Sequence, residues 1–344
     1  MKKLKPSIKT AAHGSDLTRA VTLYDHKAWL DLSSAVSPYS WWTERSEEVS
    51  LSTVDTRSLP DHCESLDESM FVYYGESGLA VAGSQAAIRG LPLCFEDSDV
   101  WIVCGSFAEH ALSWTMHGHR VQQKSIEEIR HSIMLGGVPD VLVIVNPDNP
   151  SGYYFSQSEL LKWASALDQQ GGVLICDEAF MDATPDWSLI GKSRPENVVV
   201  LRSLGKFFGL AGIRFGAVFA EPTLLATLSS YLGPWGITSL TLWIAQQALA
   251  DSVWQSVQVD RLVALQEQMS ASLHGTEAFV GSTPLFLTLR SECPLVWQDC
   301  LANQGIWTRA FPDQGLIRLG YPLSGQVSRT LDGVLSLPGL KAFQ

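Results

Sequence analysis

Apolar runs alternate with helical patterns through the middle of the chain, and this alternation predicts a parallel sheet. Four runs rich in β-branched residues occupy residues 100–104, 141–145, 173–176 and 198–201. Segments with helical periodicity lie between the runs, for example residues 158–169. Continuous apolar strands joined by helices are typical of a mostly parallel sheet sandwiched by helices, so we predict an α/β fold.

The last third of the chain follows a different pattern. Residues 222–250 carry no charged side chain, but glycine and proline interrupt them at positions 233–236. We therefore predict two buried helices that meet at a break, rather than a membrane span. A long helix-like stretch follows at residues 240–273, and mixed strands and helices come after it. The predicted organisation is an N-terminal arm, a large domain and a smaller α+β C-terminal domain, at residues 1–40, 41–238 and 239–344.

Composition and net charge exclude or disfavour several classes of function for this chain. The 344 residues are 46% hydrophobic and 17% charged, which excludes a disordered chain. The formal net charge is −12, and such an acidic chain is a poor candidate for binding nucleic acid, which needs clustered lysine and arginine. If the ligand is an anion, the positive charge that binds it must be concentrated in a pocket.

Cysteine and histidine usage indicates neither disulfides nor a metal site. The six cysteines form no CxxC pair and lie in apolar stretches, so we expect buried, reduced thiols and a cytoplasmic location. The basic start of the chain is not followed by an apolar signal core, and no membrane partner is expected. No HExxH motif or Cys/His cluster is present, and His117 and His119 are expected at the surface.

Polar side chains follow three of the apolar runs. Asn149 comes after the second run, Asp177 after the third, and Ser203, Lys206 and Arg214 after the fourth. Ligands of parallel sheets bind beyond the carboxyl ends of the strands, so these residues are expected to face one site. A pyridine-based cofactor would use each of them: a carboxylate keeps the ring nitrogen protonated, an amine bonds to an aldehyde, and a hydroxyl and a guanidinium hold a phosphate.

This order and spacing resemble the fold-type I pyridoxal-phosphate (PLP) enzymes, in the branch of histidinol-phosphate aminotransferase and threonine-phosphate decarboxylase. Within the branch, the chain is most similar to the threonine-phosphate decarboxylases of the cobalamin pathway. The resemblance covers nearly the whole chain and implies a PLP-dependent transferase fold of type I, with PLP as cofactor. It is carried by residues 13–16, 82–88, 177–182 and 202–216, and by Arg318.

The resemblance implies a role for each residue near the cofactor. Lys206 is the catalytic lysine that forms a Schiff base with PLP, and Asp177 pairs with the pyridinium nitrogen. Asn149 bonds to the phenolic oxygen of the ring. Phe107 stacks on the ring, although the nearby His110 is an alternative for that position. The residues implied to bind the cofactor phosphate are Ser84, Gln85, Ser203 and Arg214.

The resemblance also implies a set of substrate contacts. Arg318 matches the arginine that binds the substrate carboxylate, and Arg309 resembles the second anion-binding arginine of the branch that uses phosphorylated substrates. His13 would add a contact to the substrate phosphate. Two arginines suit a substrate with a carboxylate and a phosphate, because guanidinium groups bind both anions in a bidentate manner.

The chain departs from the pattern of its relatives on the substrate side. Ser15 replaces the second glycine of their N-terminal motif, and Ser37 replaces the asparagine of their Asn-Pro pair. Leu59 stands where aminotransferases have a tyrosine that reaches the cofactor phosphate of the partner subunit. Phe180 commonly corresponds to a tyrosine in aminotransferases, so one hydroxyl near the phenolic oxygen is missing. This last change disfavours ordinary transamination.

The implied activity is decarboxylation of L-threonine O-3-phosphate to (R)-1-amino-2-propanol phosphate in cobalamin biosynthesis. A histidinol-phosphate-type aminotransferase is the alternative, because it shares the cofactor residues. A non-catalytic regulator with a relict cofactor domain is a third hypothesis, but the acidic charge and an enzyme pattern that begins within the first forty residues disfavour it. Members of the family are usually homodimers, so a homodimer that binds a small amino-acid phosphate is expected.

Overall fold

The computed structural model describes residues 16–26, 28–61, 63–191 and 194–340. Within these ranges the strands are β1 (Leu30–Asp31), β2 (Leu79–Val81), β3 (Asp99–Val103), β4 (Arg120–Lys124), β5 (Val141–Val145), β6 (Val173–Asp177), β7 (Val198–Ser203), β8 (Gly216–Phe219), β9 (Phe279–Thr283), β10 (Phe286–Arg290), β11 (Ile306–Trp307), β12 (Arg309–Phe311) and β13 (Leu316–Gly320). The helices are α1 (Leu17–Leu23), α2 (Trp41–Arg45), α3 (Glu64–Tyr74), α4 (Ser84–Gly90), α5 (Ala108–Met116), α6 (Ile126–Met134), α7 (Gln157–Asp168), α8 (Pro222–Leu232), α9 (Ser239–Ala250), α10 (Ser252–Ser270), α11 (Pro294–Ala302) and α12 (Val327–Leu335).

A seven-stranded sheet forms the centre of the molecule, with the strand order β2-β8-β7-β6-β5-β3-β4. The five strands from β7 to β4 run parallel, and β8 pairs antiparallel with both β7 and β2. Every residue of β5 is buried. Leu142 and Ile144 belong to the hydrophobic core on one face, and Val141 and Val143 belong to the core on the other. The predicted mostly parallel sheet with both faces covered is therefore confirmed.

A smaller antiparallel sheet lies in the C-terminal part of the chain, with the order β12-β13-β10-β9. The short strand β1 leaves the N-terminal region and pairs in parallel with β11, where Leu30 is aligned with Ile306. The early part of the chain is thus joined by hydrogen bonds to the C-terminal part. The α+β character of the C-terminal part is confirmed, whereas the boundaries at residues 40 and 238 stay a prediction.

Two predictions for the uncharged stretch and the region after it need correction. The helices α8 and α9 do form on either side of a break, but in α8 only Leu228 is buried, so the expected burial of both helices is wrong. The expected continuous helix over residues 240–273 is also wrong, because Asp251 separates α9 from α10. The Asp251 side chain caps α10 by accepting a hydrogen bond from the Trp254 backbone N–H at 3.0 Å.

The lengths of the helices and the exposure of the cysteines bear on two further expectations. None of the helices in the described ranges is both long and apolar enough to cross a bilayer. All six cysteines are free, but only Cys176 is buried, so the expectation of six buried thiols is wrong. Cys104 and Cys293 are exposed.

The expectation of a surface position is wrong for His119. Its ring is buried, with Nδ1 accepting from the Ser98 backbone N–H and Nε2 lying 2.8 Å from the Pro92 carbonyl oxygen. Its neighbour His117 is exposed, as expected. Among the described residues, no group of three or more His, Cys, Asp or Glu side chains is arranged to hold a metal ion.

Candidate active site

Three adjacent strands of the large sheet bring the predicted cofactor residues to one edge. Asp177 is the last residue of β6, and Ser203 is the last residue of β7. Asp177 is aligned with Val145 at the end of β5 on one side and with Leu201 of β7 on the other. The segments with Asn149 and Lys206 follow β5 and β7 directly, so the structure brings these residues to the same edge of the sheet.

The Asp177 carboxylate is buried and fixed by two hydrogen bonds. Its Oδ1 accepts from the Ala179 backbone N–H at 3.1 Å, and its Oδ2 lies 2.9 Å from Nε2 of His110 on α5. Because a carboxylate oxygen accepts, Nε2 of His110 is assigned as the donor. Sequence reasoning missed this pairing and considered His110 for stacking. Phe107, at the start of α5, lines the neighbouring cavity, so it remains the residue predicted to stack on the ring.

Lys206 lies in the loop after β7, surrounded by apolar side chains and by charges of both signs. Its Nζ is 5.3 Å from the centre of the Phe180 ring. The pKa of Lys206 is lowered to about 8: burial is the largest cause, the positive charges of Arg318 and Arg214 also lower the pKa, and Asp177 opposes the shift. A lysine with such a pKa is partly neutral near pH 7, and only the neutral amine attacks an aldehyde.

A compact group of residues can bind the cofactor phosphate. Ser203 is aligned with Gly216 of β8, and a Cβ on Gly216 would come within 2.6 Å of the Ser84 backbone nitrogen. The Arg214 guanidinium packs against Gly83, where a side chain would collide with it. Ser84 opens α4, as expected, and the first N–H groups of a helix have no partner within the helix. Ser84, Ser203 and Arg214 are thus brought together, with glycines allowing close approach.

Gln85 makes a contact that the sequence did not reveal. Its Nε2 donates to Oε2 of the buried Glu109 at 2.5 Å, and Arg89 Nη2 donates to the same oxygen at 2.6 Å. The side-chain amide of Gln85 is therefore engaged by Glu109, and its backbone N–H in the first turn of α4 is the group suited to bind a phosphate. The predicted role of Gln85 in the phosphate site stays a prediction.

Arg318 is buried on β13 and joins the small sheet to the large one. Its Nη1 donates to Oδ1 of Asn149 at 2.6 Å, and its Nη2 donates to the Ser33 carbonyl oxygen at 2.6 Å. Burial, reinforced by the positive charge of Arg309, lowers the pKa of Arg318 to about 9. Its Nε has no hydrogen-bond partner in the described part of the chain. A buried guanidinium with an N–H that lacks a partner is suited to bind the carboxylate of a ligand.

A cavity of about 470 Å³ opens beside these residues. Asn149, Phe107, Arg309 and Arg318 line it, so the structure brings both predicted substrate arginines to one space. Arg19 of α1 also lines the cavity, and sequence reasoning missed this residue because nothing in its local pattern indicates where α1 packs. His13, the third predicted substrate residue, lies outside the described residues.

The residues around Lys206 fit PLP. An amine with a lowered pKa, a buried carboxylate oriented by two donors, and a serine-arginine group beside two glycines match the aldehyde, the ring nitrogen and the phosphate of that cofactor. The glycine positions support this fit, because a side chain at 83 would collide with the Arg214 guanidinium and one at 216 with the Ser84 backbone, so the phosphate-binding groups come together only with glycine at both positions.

Comparison with known proteins identifies the family. Residues 66–325 match the aminotransferase class I and II family, so the chain belongs to that family, and its cofactor is PLP. A threonine-phosphate decarboxylase from Pseudomonas aeruginosa is 38% identical over 328 residues, which cover 94% of this chain and 96% of that protein. A second protein of that name, from Sinorhizobium sp., is 31% identical over 313 residues, which cover 87% of this chain and 89% of that protein.

A solved structure confirms the fold. The histidinol-phosphate aminotransferase from Sinorhizobium meliloti, determined in complex with pyridoxal-5'-phosphate, has a TM-score of 0.77 and 14% identity, with 97% of each chain covered. The predicted fold of type I is therefore confirmed.

We expect the reaction of Lys206 with added PLP to follow the pKa of its amine. In the apoenzyme, the rate of labelling at Lys206, trapped with borohydride at each pH, should rise with pH and reach half of its maximum near pH 8. Arg318→Gln removes a positive charge that lowers this pKa, so its midpoint should move to higher pH. Arg309→Gln is the control, because Arg309 does not contribute to the shift of Lys206. An unchanged or lower midpoint in Arg318→Gln would contradict this account.

We also expect His110 to support PLP binding through Asp177. His110→Phe removes the donor to Asp177 Oδ2, so the carboxylate should hold the protonated ring nitrogen less well and the Kd for PLP should rise about tenfold, the size of one charge-assisted hydrogen bond. His119→Phe is the matched control, since His119 is also buried but bonds to Ser98 and Pro92. Equal PLP affinity in the two variants, measured by equilibrium titration, would argue against this role.

Proposed function

We propose that this protein is a PLP-dependent carboxy-lyase that decarboxylates L-threonine O-3-phosphate to (R)-1-amino-2-propanol phosphate in cobalamin biosynthesis. The observation that carries the proposal is one cavity lined by two arginines, Arg318 near Lys206 and Arg309 farther out. A substrate with a carboxylate and a phosphate matches this pair. The two relatives named threonine-phosphate decarboxylase, similar over most of their length, support the same activity.

The reaction breaks the bond between Cα and the carboxylate carbon, and a proton replaces the CO2 that leaves. PLP supplies a protonated pyridine ring that accepts the electron pair released from the breaking bond. Asp177 would keep the proton on the ring nitrogen of bound PLP, and His110 holds the Asp177 carboxylate in place. Lys206, with a pKa of about 8, can hold a proton for Cα near neutral pH.

The orientation of the bound substrate decides which bond to its Cα breaks. A bound PLP would weaken the bond whose electron pair overlaps with its conjugated system, so the residues that hold the substrate would select the bond. Arg318 and Arg309, together with His13, would position the two anions of the substrate so that the bond to the carboxylate is the one that breaks. Phe180 lies beside Lys206 and presents no hydroxyl to the phenolic oxygen that Asn149 is proposed to bind.

The decisive assay compares two reactions. With L-threonine O-3-phosphate as sole substrate, the purified holoenzyme should release CO2 and form no keto acid, and Lys206→Ala should release none. If a keto acid forms, and only when 2-oxoglutarate is added, the decarboxylase assignment is wrong. Glutamate production from histidinol phosphate and 2-oxoglutarate would support the aminotransferase alternative.

We further propose that the protein is a cytoplasmic homodimer. Its free cysteines support a reducing compartment. The dimer is supported by exposed aromatic side chains at the end of α8 and just after it: Tyr231 is 54% exposed and Trp235 is 61% exposed. Trp235 borders a groove of about 300 Å³ that Pro60 and Leu242 also line. Exposed apolar surface next to a groove is typical of an interface.

Sedimentation equilibrium tests the dimer. The wild-type protein should sediment at twice its monomer mass of 37.7 kDa. Trp235→Glu places a charge in the proposed interface and should shift the equilibrium towards monomer, since an unpaired buried charge opposes association. Met134→Glu is the control, because Met134 is 73% exposed at the end of α6. Wild-type protein that remains monomeric at micromolar concentration would refute the proposal.

A further inference from the structure

The outer part of the active-site cavity contains a residue pair that no role described above uses. Arg19 of α1 and Thr308, between β11 and β12, line the cavity together with Arg309. Thr308 is 1% exposed, and its Oγ1 has no hydrogen-bond partner in the described ranges. A buried hydroxyl without a partner costs free energy unless a ligand or water satisfies it.

The helix α1 is held in place by packing against the C-terminal part. Ala20 is buried and packs in one cluster with Ala302 and Trp307. The Tyr24 hydroxyl donates to the Asp299 carboxylate. These contacts fix α1 so that Arg19, which is exposed, stands at the mouth of the cavity rather than in bulk solvent.

The arginines that line the cavity form an inner group, which is Arg318, and an outer group, which consists of Arg309 and Arg19. The guanidinium carbons of Arg318 and Arg309 lie 5.9 and 5.3 Å from the centre of the Phe311 ring, which places this ring beside both arginines. The positive charge of Arg19 acts on the outer arginine: after burial it is the largest factor that lowers the pKa of Arg309. Arg318, in contrast, is the arginine whose charge acts most strongly on Lys206.

Three carboxylates also line the cavity, and the structure accounts for two of them. Glu109 accepts hydrogen bonds from Gln85 and Arg89, and Asp16 caps α1 by accepting from the Arg19 backbone N–H. Asp313 is exposed at the rim. The outer part of the cavity thus presents the guanidinium groups of Arg19 and Arg309 and the Thr308 hydroxyl, and Asp16 lies near enough for its negative charge to raise the pKa of Arg309.

We propose that Arg19 and Thr308 extend the phosphate subsite already assigned to Arg309, and that Arg19 is a specificity-determining residue selecting phosphorylated substrates. This inference deepens the proposed function and rests on it for the identity of the substrate. The phosphate, with up to two negative charges, takes the outer position, and the carboxylate takes the inner position at Arg318, close to the reacting atoms. Arg19 would not contribute to the binding affinity for an amino acid that lacks the phosphate.

Kinetic analysis of the holoenzyme tests the role of Arg19. Arg19→Gln should raise the KM for L-threonine O-3-phosphate and the Ki for inorganic phosphate about tenfold each, the effect of one charge-assisted hydrogen bond. The kcat and the Ki for L-threonine, which lacks the phosphate, should stay unchanged. Arg19→Lys should recover part of the loss, because it keeps the charge but not the bidentate geometry. Arg120→Gln is the control, since Arg120 is exposed on β4 outside the cavity.

A second variant tests Thr308 without disturbing the fold. Thr308→Val removes the hydroxyl at nearly constant shape, so thermal stability should be retained because the protein loses no hydrogen bond of its own. The Ki for inorganic phosphate should rise about threefold. A fall in stability with unchanged phosphate inhibition would indicate a structural role and overturn this part of the subsite.

The failure of the subsite is distinguishable from the failure of the proposed function. If Arg19→Gln and Arg120→Gln bind inorganic phosphate equally in calorimetry, or if Arg19→Gln changes kcat alone, the subsite is wrong. If the wild-type enzyme releases no CO2 from L-threonine O-3-phosphate, the decarboxylase assignment fails. The difference in phosphate affinity between the two variants would still decide the anion subsite in that case.

Discussion

The site depends on one constraint, which is that the amine of Lys206 is removed from water at the carboxyl edge of the parallel sheet. Burial favours the neutral amine, and the nearby guanidinium groups of Arg318 and Arg214 favour it further, while Asp177 opposes both effects. An amine in bulk water would be almost fully protonated at pH 7 and would react slowly with an aldehyde. The sheet thus does more than position Lys206, because its buried edge also sets the reactivity of that residue.

Much of this arrangement could be predicted from the sequence because parallel strands leave a strong local signal. The run at residues 141–145 is apolar throughout, and the structure forms β5 over the same residues with each of them buried. The residues that follow such runs must meet at one edge, which is why Asn149, Asp177 and Lys206 could be assigned to one site. The spacing within each segment carried this information without any knowledge of distant contacts.

Two contacts that sequence reasoning missed depend on distant parts of the chain. The hydrogen bond between His110 and Asp177 joins residues 67 positions apart, and the contact of Gln85 with Glu109 joins two helices. The uncharged stretch of α8 was taken for core because apolar residues that are exposed in the structure look the same in the sequence as apolar residues that are buried. The break at Asp251 was missed because the helical sequence pattern continues through this residue, whose side chain caps α10 in the structure.

Charge placement explains how an acidic protein can bind an acidic substrate. The chain has a net charge of −12, yet Arg19, Arg309 and Arg318 line one cavity, and two of its three lining carboxylates already accept hydrogen bonds from other groups. The family supports different reactions with one set of cofactor residues, so the outcome must depend on how the substrate is held. In the proposed arrangement, a phosphate at the mouth and a carboxylate at Arg318 would fix two points of the substrate, and the amine would fix a third. Three fixed points would leave a single orientation of Cα, and this orientation would determine whether CO2 or a proton leaves.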